Sequence, residues 1–454
     1  MDRRPHTWYN IKIPAEIPAG RIYAKFSAVF RRVHSLLTNI ARIRAKIRRS
    51  YEDFIRGTSR RCPAAALQGR GAPAPYGDAM KEETAQQTKK STLSHILVGC
   101  RFGNWRKLKK ENGIAPECRA QARTITLISG VLALPGLLER ALFDGRIEKT
   151  ELQKDPVYIV GHWRTGTTWL QNLLTRDPQF AWFDPLRTVT ISNCVLLGPI
   201  LKPFVGHYLK GTRAMDNMEY QLDLPMEEVF AQATITDQAV SHMLCFPGGG
   251  KGVRYLDGAY TDEQTPEKQA EWLQAYRYIL KKVTWIHGGK QLLLKSPENT
   301  CRIAFLKKNF PGAKFINIYR NPYKVVMSTI HMFHKEMGLF RLNELPSDAL
   351  IEDVTISNFA RMYKKALPEL DAIPAGDRID ICYEDFCQAP ETWLQRIYEQ
   401  LGLGGWETAL PYLQAHLEEQ KDYQKNTFTL DDRLKDKINA QLGFYFERYG
   451  YEML

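Results

Sequence analysis

The sequence has little with which to bind a structural metal. Its eight cysteines, at positions 62, 100, 118, 194, 245, 301, 382 and 387, form no C-x-x-C pair, and they read as reduced thiols with no zinc site. It also lacks a long apolar run. The two longest uncharged stretches, Thr124–Leu138 and Thr188–Leu201, fall short of the ~20 residues that cross a bilayer, and each contains a proline. No short basic-then-apolar leader opens the chain, so cytoplasmic is the default expected location. No internal repeat is visible.

The 454 residues carry a formal net charge of +13, placed unevenly. Residues 1–79 hold 16 Lys/Arg against 5 Asp/Glu, which is +11 of the total. The body is close to neutral, so the overall charge gives no reason to expect a nucleic-acid partner. Within the basic segment, residues 21–49 read as an amphipathic helix. Ile22, Phe26, Val29, Phe30, Val33, Leu36 and Leu37 recur at helical spacing among Arg and Lys. Such a helix suits a solvated accessory role first, and peripheral contact with an anionic membrane or a partner protein second. Pro63–Ala79, rich in Ala, Gly and Pro, reads as a linker, with Met80 as a candidate start.

Three divisions follow: a basic extension (1–79), a helical region (80–150) and a core (151–454). In the core, short apolar runs end at glycine or at cationic residues: Pro156–Val160, Gln291–Leu294, Lys314–Tyr319 and Arg378–Cys382. Helical patterns lie among them at Pro266–Ile286, Cys301–Asn309, Tyr323–Phe333, Glu391–Leu401 and Asp431–Tyr449. Strands alternating with helices predict an α/β fold, a parallel sheet of P-loop type flanked by helices, with an added helical region covering the substrate.

The strongest motif is Y-I-V-G-H-W-R-T-G-T-T-W, Tyr158 to Trp169. A strand leads into Gly161, four residues, Gly166 and two threonines, then a helical pattern. That spacing aims free backbone N–H groups at an anion, at the positive end of a helix dipole. The lysine of nucleotide kinases is absent; Thr167 takes its place, and the cation sits inside the loop as Arg164. Kinases also need an Asp for magnesium. Here the other strands end in Lys295-Ser296-Pro297 and Arg320-Asn321-Pro322. Ligands of open α/β sheets sit beyond those strand ends, so the cleft is expected to take a polyanion without a metal.

These segments, with L-L-L-K-S-P-E-N, I-Y-R-N-P-Y-K-V-V-M-S-T and the ending F-E-R-Y-G-Y-E, resemble the sulfotransferases that use 3′-phosphoadenosine-5′-phosphosulfate (PAPS). The likeness is to the bacterial-type branch with a G-H-W-R-[ST]-G-T-T loop, and it runs from about Leu97 to the C-terminus. The resemblance implies sulfuryl transfer from PAPS to a hydroxyl-type acceptor, with no metal. It implies that Arg164, Thr165, Gly166, Thr167 and Thr168 bind the 5′-phosphosulfate. Trp169 and Tyr383 border the adenine, Arg320 and Ser328 bind the 3′-phosphate, and Lys295 faces the sulfuryl group. The acceptor class stays open among small molecules, lipids and carbohydrates.

The general base is not fixed by the resemblance. The cytosolic branch carries a histidine two positions after its lysine, where this chain has Pro297. Glu227 matches an acidic position in the bacterial-type branch, and Glu228 follows it. Two glutamates after Pro225 are also good dipole chemistry for a helix start. His162, Asp184 and His242 are weaker candidates. Two rival readings stand beside this one: a P-loop small-molecule kinase, and a membrane-associated binding protein resting on residues 21–49.

Overall fold

The computed structural model describes residues 95–208, 222–248, 252–419 and 429–454. All of them fall within the second of two compact units, Asp78–Leu454. The basic extension, including the helix expected over residues 21–49 and the linker, lies outside the described residues.

Five parallel strands form the sheet: β1 (Val157–Val160), β2 (Phe180–Ala181), β3 (Gln291–Lys295), β4 (Lys314–Tyr319) and β5 (Arg378–Cys382), in the order β2-β3-β1-β4-β5. All four expected strands are present. The fifth, β2, is two residues long, too short for any periodicity to announce it.

Alternation along the strands divides the core. Tyr158, Val160, Leu292, Leu294 and Phe315 face one layer, with α5 (Pro266–Ile286) among the helices packed there. Val157, Ile159, Leu293, Ile316 and Ile318 face the other, against α3 (Thr167–Leu174) and the helix Pro390–Leu401. Burial on both faces explains why these strands read as continuous apolar runs. Each fully buried Leu or Ile contributes about 1.5–3 kcal/mol.

A third core lies in the helical region. It joins α1 (Phe102–Asn112) to α6 (Pro322–Phe340), α7 (Asp348–Asp371) and the C-terminal α9 (Asp432–Tyr449). One element departs from expectation. The stretch Thr124–Leu138 belongs to α2 (Arg119–Glu148), 30 residues long, which runs straight through Pro135. With its first turn it is long and apolar enough to cross a membrane by length and composition, although about a quarter of its most apolar window is buried against the protein (28%). Ala122, Ile125, Ser129, Gly136, Glu139 and Ile147 form that inner face. There Glu139 is fully buried. It pairs with Lys282 of α5 and accepts the backbone N–H groups of Val195 and Leu196 at 3.0 and 2.7 Å.

Candidate active site

The carboxyl ends of β1, β3 and β4 lie side by side, since Ile159 pairs with Lys295 and Val160 with Asn317. The loop 161–166 leaves β1 at Gly161, with φ +143°. A side chain there would collide with the Ile318 carbonyl oxygen, 2.4 Å away. Thr300 fastens this turn: its hydroxyl accepts from the Gly161 N–H at 2.8 Å and donates to the Gly161 carbonyl at 3.1 Å. Arg164 at the loop's apex has φ +68°, the one non-glycine in the left-handed region among the described residues. Such strain persists only where the surroundings hold it. Here Arg320 Nη1 donates to the Arg164 carbonyl at 3.0 Å, and Thr165 turns back onto the His162 carbonyl at 2.8 Å.

Gly166 then caps α3 with φ +101°, and a Cβ at this position would stand 2.4 Å from the Tyr383 ring. Tyr383 heads α8 (Tyr383–Gln388), straight after β5. The Arg320 guanidinium lies over the other part of this arrangement, 4.3 Å from the Tyr383 ring centroid. Trp169 meets Tyr383 edge-on at 6.4 Å and Phe386 at 4.6 Å. Arg164 Nε donates to Ser328 Oγ of α6 at 2.9 Å. Arg164, Arg320, Ser328, Tyr383 and Trp169 therefore converge from the loop, the end of β4, α6, α8 and α3. Arg320 Nε is buried without a hydrogen-bond partner among the described residues, a donor suited to an incoming anion.

On the other side of the loop, Lys295 at the end of β3 donates to Thr168 Oγ1 at 3.3 Å and forms a short ion pair with Glu227. Glu227 sits at the N-terminal cap of α4 (Glu228–Ala233), yet its side chain makes no capping bond. It reaches across to Lys295 instead. The two residues stand 68 positions apart, and the α4 cap and the β3 end bring them together.

The arrangement is a cationic pocket at a helix N-terminus, with a carboxylate beside its lysine. A family model for sulfotransferases matches residues 156–408, more than half of the chain. The chain belongs to the sulfotransferase family.

This sulfotransferase is 31% identical over 361 residues to the omega-hydroxy-beta-dihydromenaquinone-9 sulfotransferase Stf3 of Mycobacterium bovis. The match covers 79% of this chain and 91% of that protein, and the counterpart in Mycobacterium tuberculosis is equally similar. Among solved structures, sulfotransferase STF9 from Mycobacterium avium superposes with a TM-score of 0.58 at 18% identity, covering 85% of this chain and 99% of that one. Sulfotransferase STF1 from Mycobacterium tuberculosis H37Rv gives 0.52 at 17% identity, covering 79% and 98%. Those two likenesses place the fold.

The remaining candidates for the base stand elsewhere in the sulfotransferase. Glu228 points into the interior, fully buried, accepting from Tyr276 Oη at 3.0 Å and Asn299 Nδ2 at 2.7 Å, and burial raises its carboxyl above the usual range. His162 stacks on Phe359 at 4.4 Å, with Nδ1 on the Trp163 carbonyl at 3.0 Å. His242 lies between the carbonyls of Ala233 and Asp237 at 3.0 and 3.3 Å. Burial lowers both imidazoles to about 4. Asp184 caps the short helix Pro185–Val189 through the Arg187 N–H at 2.8 Å and pairs with the Arg187 guanidinium.

Sequence reasoning missed two supports of this site. One is the purpose of the C-terminal F-E-R-Y-G-Y-E (446–452) and of Tyr445 just before it. Tyr445 Oη accepts the Arg320 N–H at 3.4 Å and lies 3.2 Å from the Arg320 carbonyl. Tyr449 stacks on Tyr319 at 3.9 Å, and Tyr451 Oη donates to Glu384 at 2.8 Å. Glu384 in turn accepts the Asn321 N–H at 3.2 Å. The motif grips the end of β4, where Arg320 stands. Its spacing carried no signal of that, because the partner lies more than a hundred residues upstream.

The other is Glu298, in the turn after Lys295. Burial, then the negative charge of Glu227, pushes its carboxyl up to about 8. A carboxyl raised from 4.5 in this way stabilises the fold fully below pH 4.5, and that stability is lost as pH rises through about 8. Glu298→Gln cannot ionise, so its urea midpoint should decline less than wild type over that window. Parallel declines would show that Glu298 does not hold its proton in the folded protein.

Proposed function

We propose that this sulfotransferase moves the sulfuryl group of PAPS in line onto the hydroxyl of a lipid alcohol and releases 3′,5′-ADP, without a metal. The observation that carries the reading is the position of Lys295, between Thr168 at the start of α3 and the Glu227 carboxylate. A lysine there can turn from Glu227 to the oxygen bridging sulfur and phosphorus. In doing so it frees the carboxylate to take the acceptor's proton.

In this reading the loop N–H groups, with Thr165, Gly166, Thr167 and Thr168, hold the 5′-phosphosulfate at the helix N-terminus. Arg164 joins them from the loop apex, while Arg320 and Ser328 form the second anion site and receive the 3′-phosphate; the planar fork of Arg320 suits phosphate oxygens. Trp169 and Tyr383 flank the base. The small residue at Gly166 lets the Tyr383 ring close on the loop. As the acceptor oxygen attacks sulfur, charge grows on the bridging oxygen. Lys295, Arg164 and the loop amides stabilise it from fixed positions, and Glu227 accepts the proton. Glu228, held in the interior, keeps α4 seated so that Glu227 faces the cleft. The lipid acceptor is supported by the similarity to relatives named for an omega-hydroxylated dihydromenaquinone.

Titration calorimetry in EDTA tests the donor. 3′,5′-ADP should bind at least about tenfold more tightly than ATP, since a hydrogen-bonded charge pair at the 3′-phosphate is worth about 1.5–3 kcal/mol. Equal affinities, or binding that needs magnesium, would return the chain to the kinase reading.

A further inference from the structure

The outer face of α2 is apolar and open. Nine large apolar side chains are exposed among the described residues, and four of them lie on this one helix: Leu127 (46%), Leu134 (71%), Leu137 (60%) and Leu142 (39%). They recur at helical spacing and form one stripe. Leu127, Leu134 and Leu137 lie within residues 124–138, which contain no charge and span about 22 Å at 1.5 Å per residue; Leu142 lies beyond Arg140. A cluster on one face, unlike scattered apolar residues, marks an interaction surface.

Its surroundings identify the partner. Arg119 and Arg123 precede the stripe and Arg140 follows it, all exposed. On the flank, Phe102 of α1 lies beside Gly130, where a Cβ would meet its ring at 3.8 Å, and Arg106 sits 6.0 Å from the same ring. Residues 102–149 hold nine Lys/Arg and five Asp/Glu, and one of the five, Glu139, is buried and paired. An apolar stripe edged by cations matches an anionic bilayer, in which acyl chains take the leucines and headgroups take the arginines. The helix cannot cross that bilayer in this fold. Although it is long enough to span, its inner face is locked to α5 by the buried Glu139–Lys282 pair.

We infer that α2 lies in the plane of an anionic membrane and docks the enzyme there through Leu127, Leu134 and Leu137. The opposite face of α2 holds the segment after Ile191 through Glu139, which accepts the N–H groups of Val195 and Leu196, while Lys282 of α5, paired with Glu139, donates to the Ile191 carbonyl at 2.6 Å. Docking there brings the enzyme to acceptors held in the membrane. The purpose of the docking rests on the proposed lipid acceptor; the surface does not.

The test is flotation of the full chain with vesicles of phosphatidylcholine and phosphatidylglycerol, without donor or acceptor. Wild type should float, and more weakly with phosphatidylcholine alone. L134E/L137E should lower the bound fraction by at least about tenfold, with 3′,5′-ADP affinity and melting temperature unchanged. Leu134→Trp keeps the fold's apolar character, and its fluorescence should be quenched by brominated lipid beyond the wild-type level. Equal flotation of wild type and L134E/L137E would overturn the proposal and assign any binding to another segment, such as residues 21–49. Failure of wild type to float would overturn it too. So would a dimer in sedimentation that the same substitutions dissolve, because a second copy would then cover the stripe. If the acceptor proves to be water-soluble while L134E/L137E still abolishes flotation, the docking surface stands and the lipid-acceptor reading falls.

Discussion

Glu227→Gln should keep wild-type affinity for 3′,5′-ADP and lose about 10²–10⁴-fold in turnover, the usual contribution of a general base. The geometry sharpens this expectation. A glutamate that only favoured a helix start would direct its carboxylate to the first-turn N–H groups, and its loss would cost a few tenths of a kcal/mol, up to ~1, with near-normal turnover. Glu227 makes no capping bond; its carboxylate is on Lys295. Gln retains the shape and can still accept a hydrogen bond from Lys295, so the site should survive while the proton acceptor is lost. Glu228→Gln is the matched control. Its side chain is buried against Tyr276 and Asn299, so the change should register in the melting temperature far more than in turnover. Full activity in Glu227→Gln together with loss in Glu228→Gln would transfer the role to the buried residue. The pre-steady-state rate of sulfuryl transfer, measured beside calorimetric 3′,5′-ADP affinity, separates the two.

Arg320→Ala should weaken binding of both PAPS and 3′,5′-ADP by about 1.5–3 kcal/mol, or roughly 10–150-fold, the range for a hydrogen bond to a charged group. The structure adds a competing cause that the experiment must separate. Arg320 also holds the Arg164 carbonyl at 3.0 Å, at the strained apex of the loop. If that prop were its main role, 5′-phosphate nucleotides with and without a 3′-phosphate would lose affinity equally. If Arg320 binds the 3′-phosphate, 5′-AMP should lose much less than 3′,5′-ADP. Arg320→Lys should fall between, since an ammonium keeps the charge but cannot reach the loop carbonyl and a phosphate together in the planar geometry of a guanidinium. Unchanged 3′,5′-ADP affinity in Arg320→Ala would remove the nucleotide from this part of the sheet.

The strand ends were legible because their chemistry is contiguous in sequence. A buried parallel strand is a short apolar run, and the residue after it must leave the sheet at the ligand side, so Gly161, Lys295 and Arg320 could be placed before any coordinates. Helix boundaries were legible where capping agreed with periodicity. Pro266–Ile286 follows Thr265, which accepts from the Lys268 N–H, and it is found as expected. Helix α6 runs seven residues beyond the expected Phe333, to Phe340. Its last turns are stabilised by tertiary burial of Met337 and Gly338, which a local pattern does not announce. Helix α7 was missed for a related reason: its buried residues, among them Ile351, Phe359 and Tyr363, face a core to which α6 and α9 contribute from distant parts of the chain. Pro135 was read as a limit to the apolar stretch in which it sits. Packing of Gly136 and Glu139 on either side of the next turn keeps α2 continuous through it.

The sequence by itself determined four of the five strands, the glycine loop after β1 and the absence of the kinase lysine, because each is set by neighbours along the chain: strand pattern, glycine spacing and helix start. Only the tertiary structure decided which of two adjacent glutamates faces the lysine. It also decided what the C-terminal tyrosines hold and which side of α2 stays bare. Those depend on side chains meeting across 50 to 150 residues of chain, where the direction a residue points is fixed by the packing of the element that carries it. One residue of rotation at the start of α4 puts Glu227 on Lys295 and Glu228 in the core.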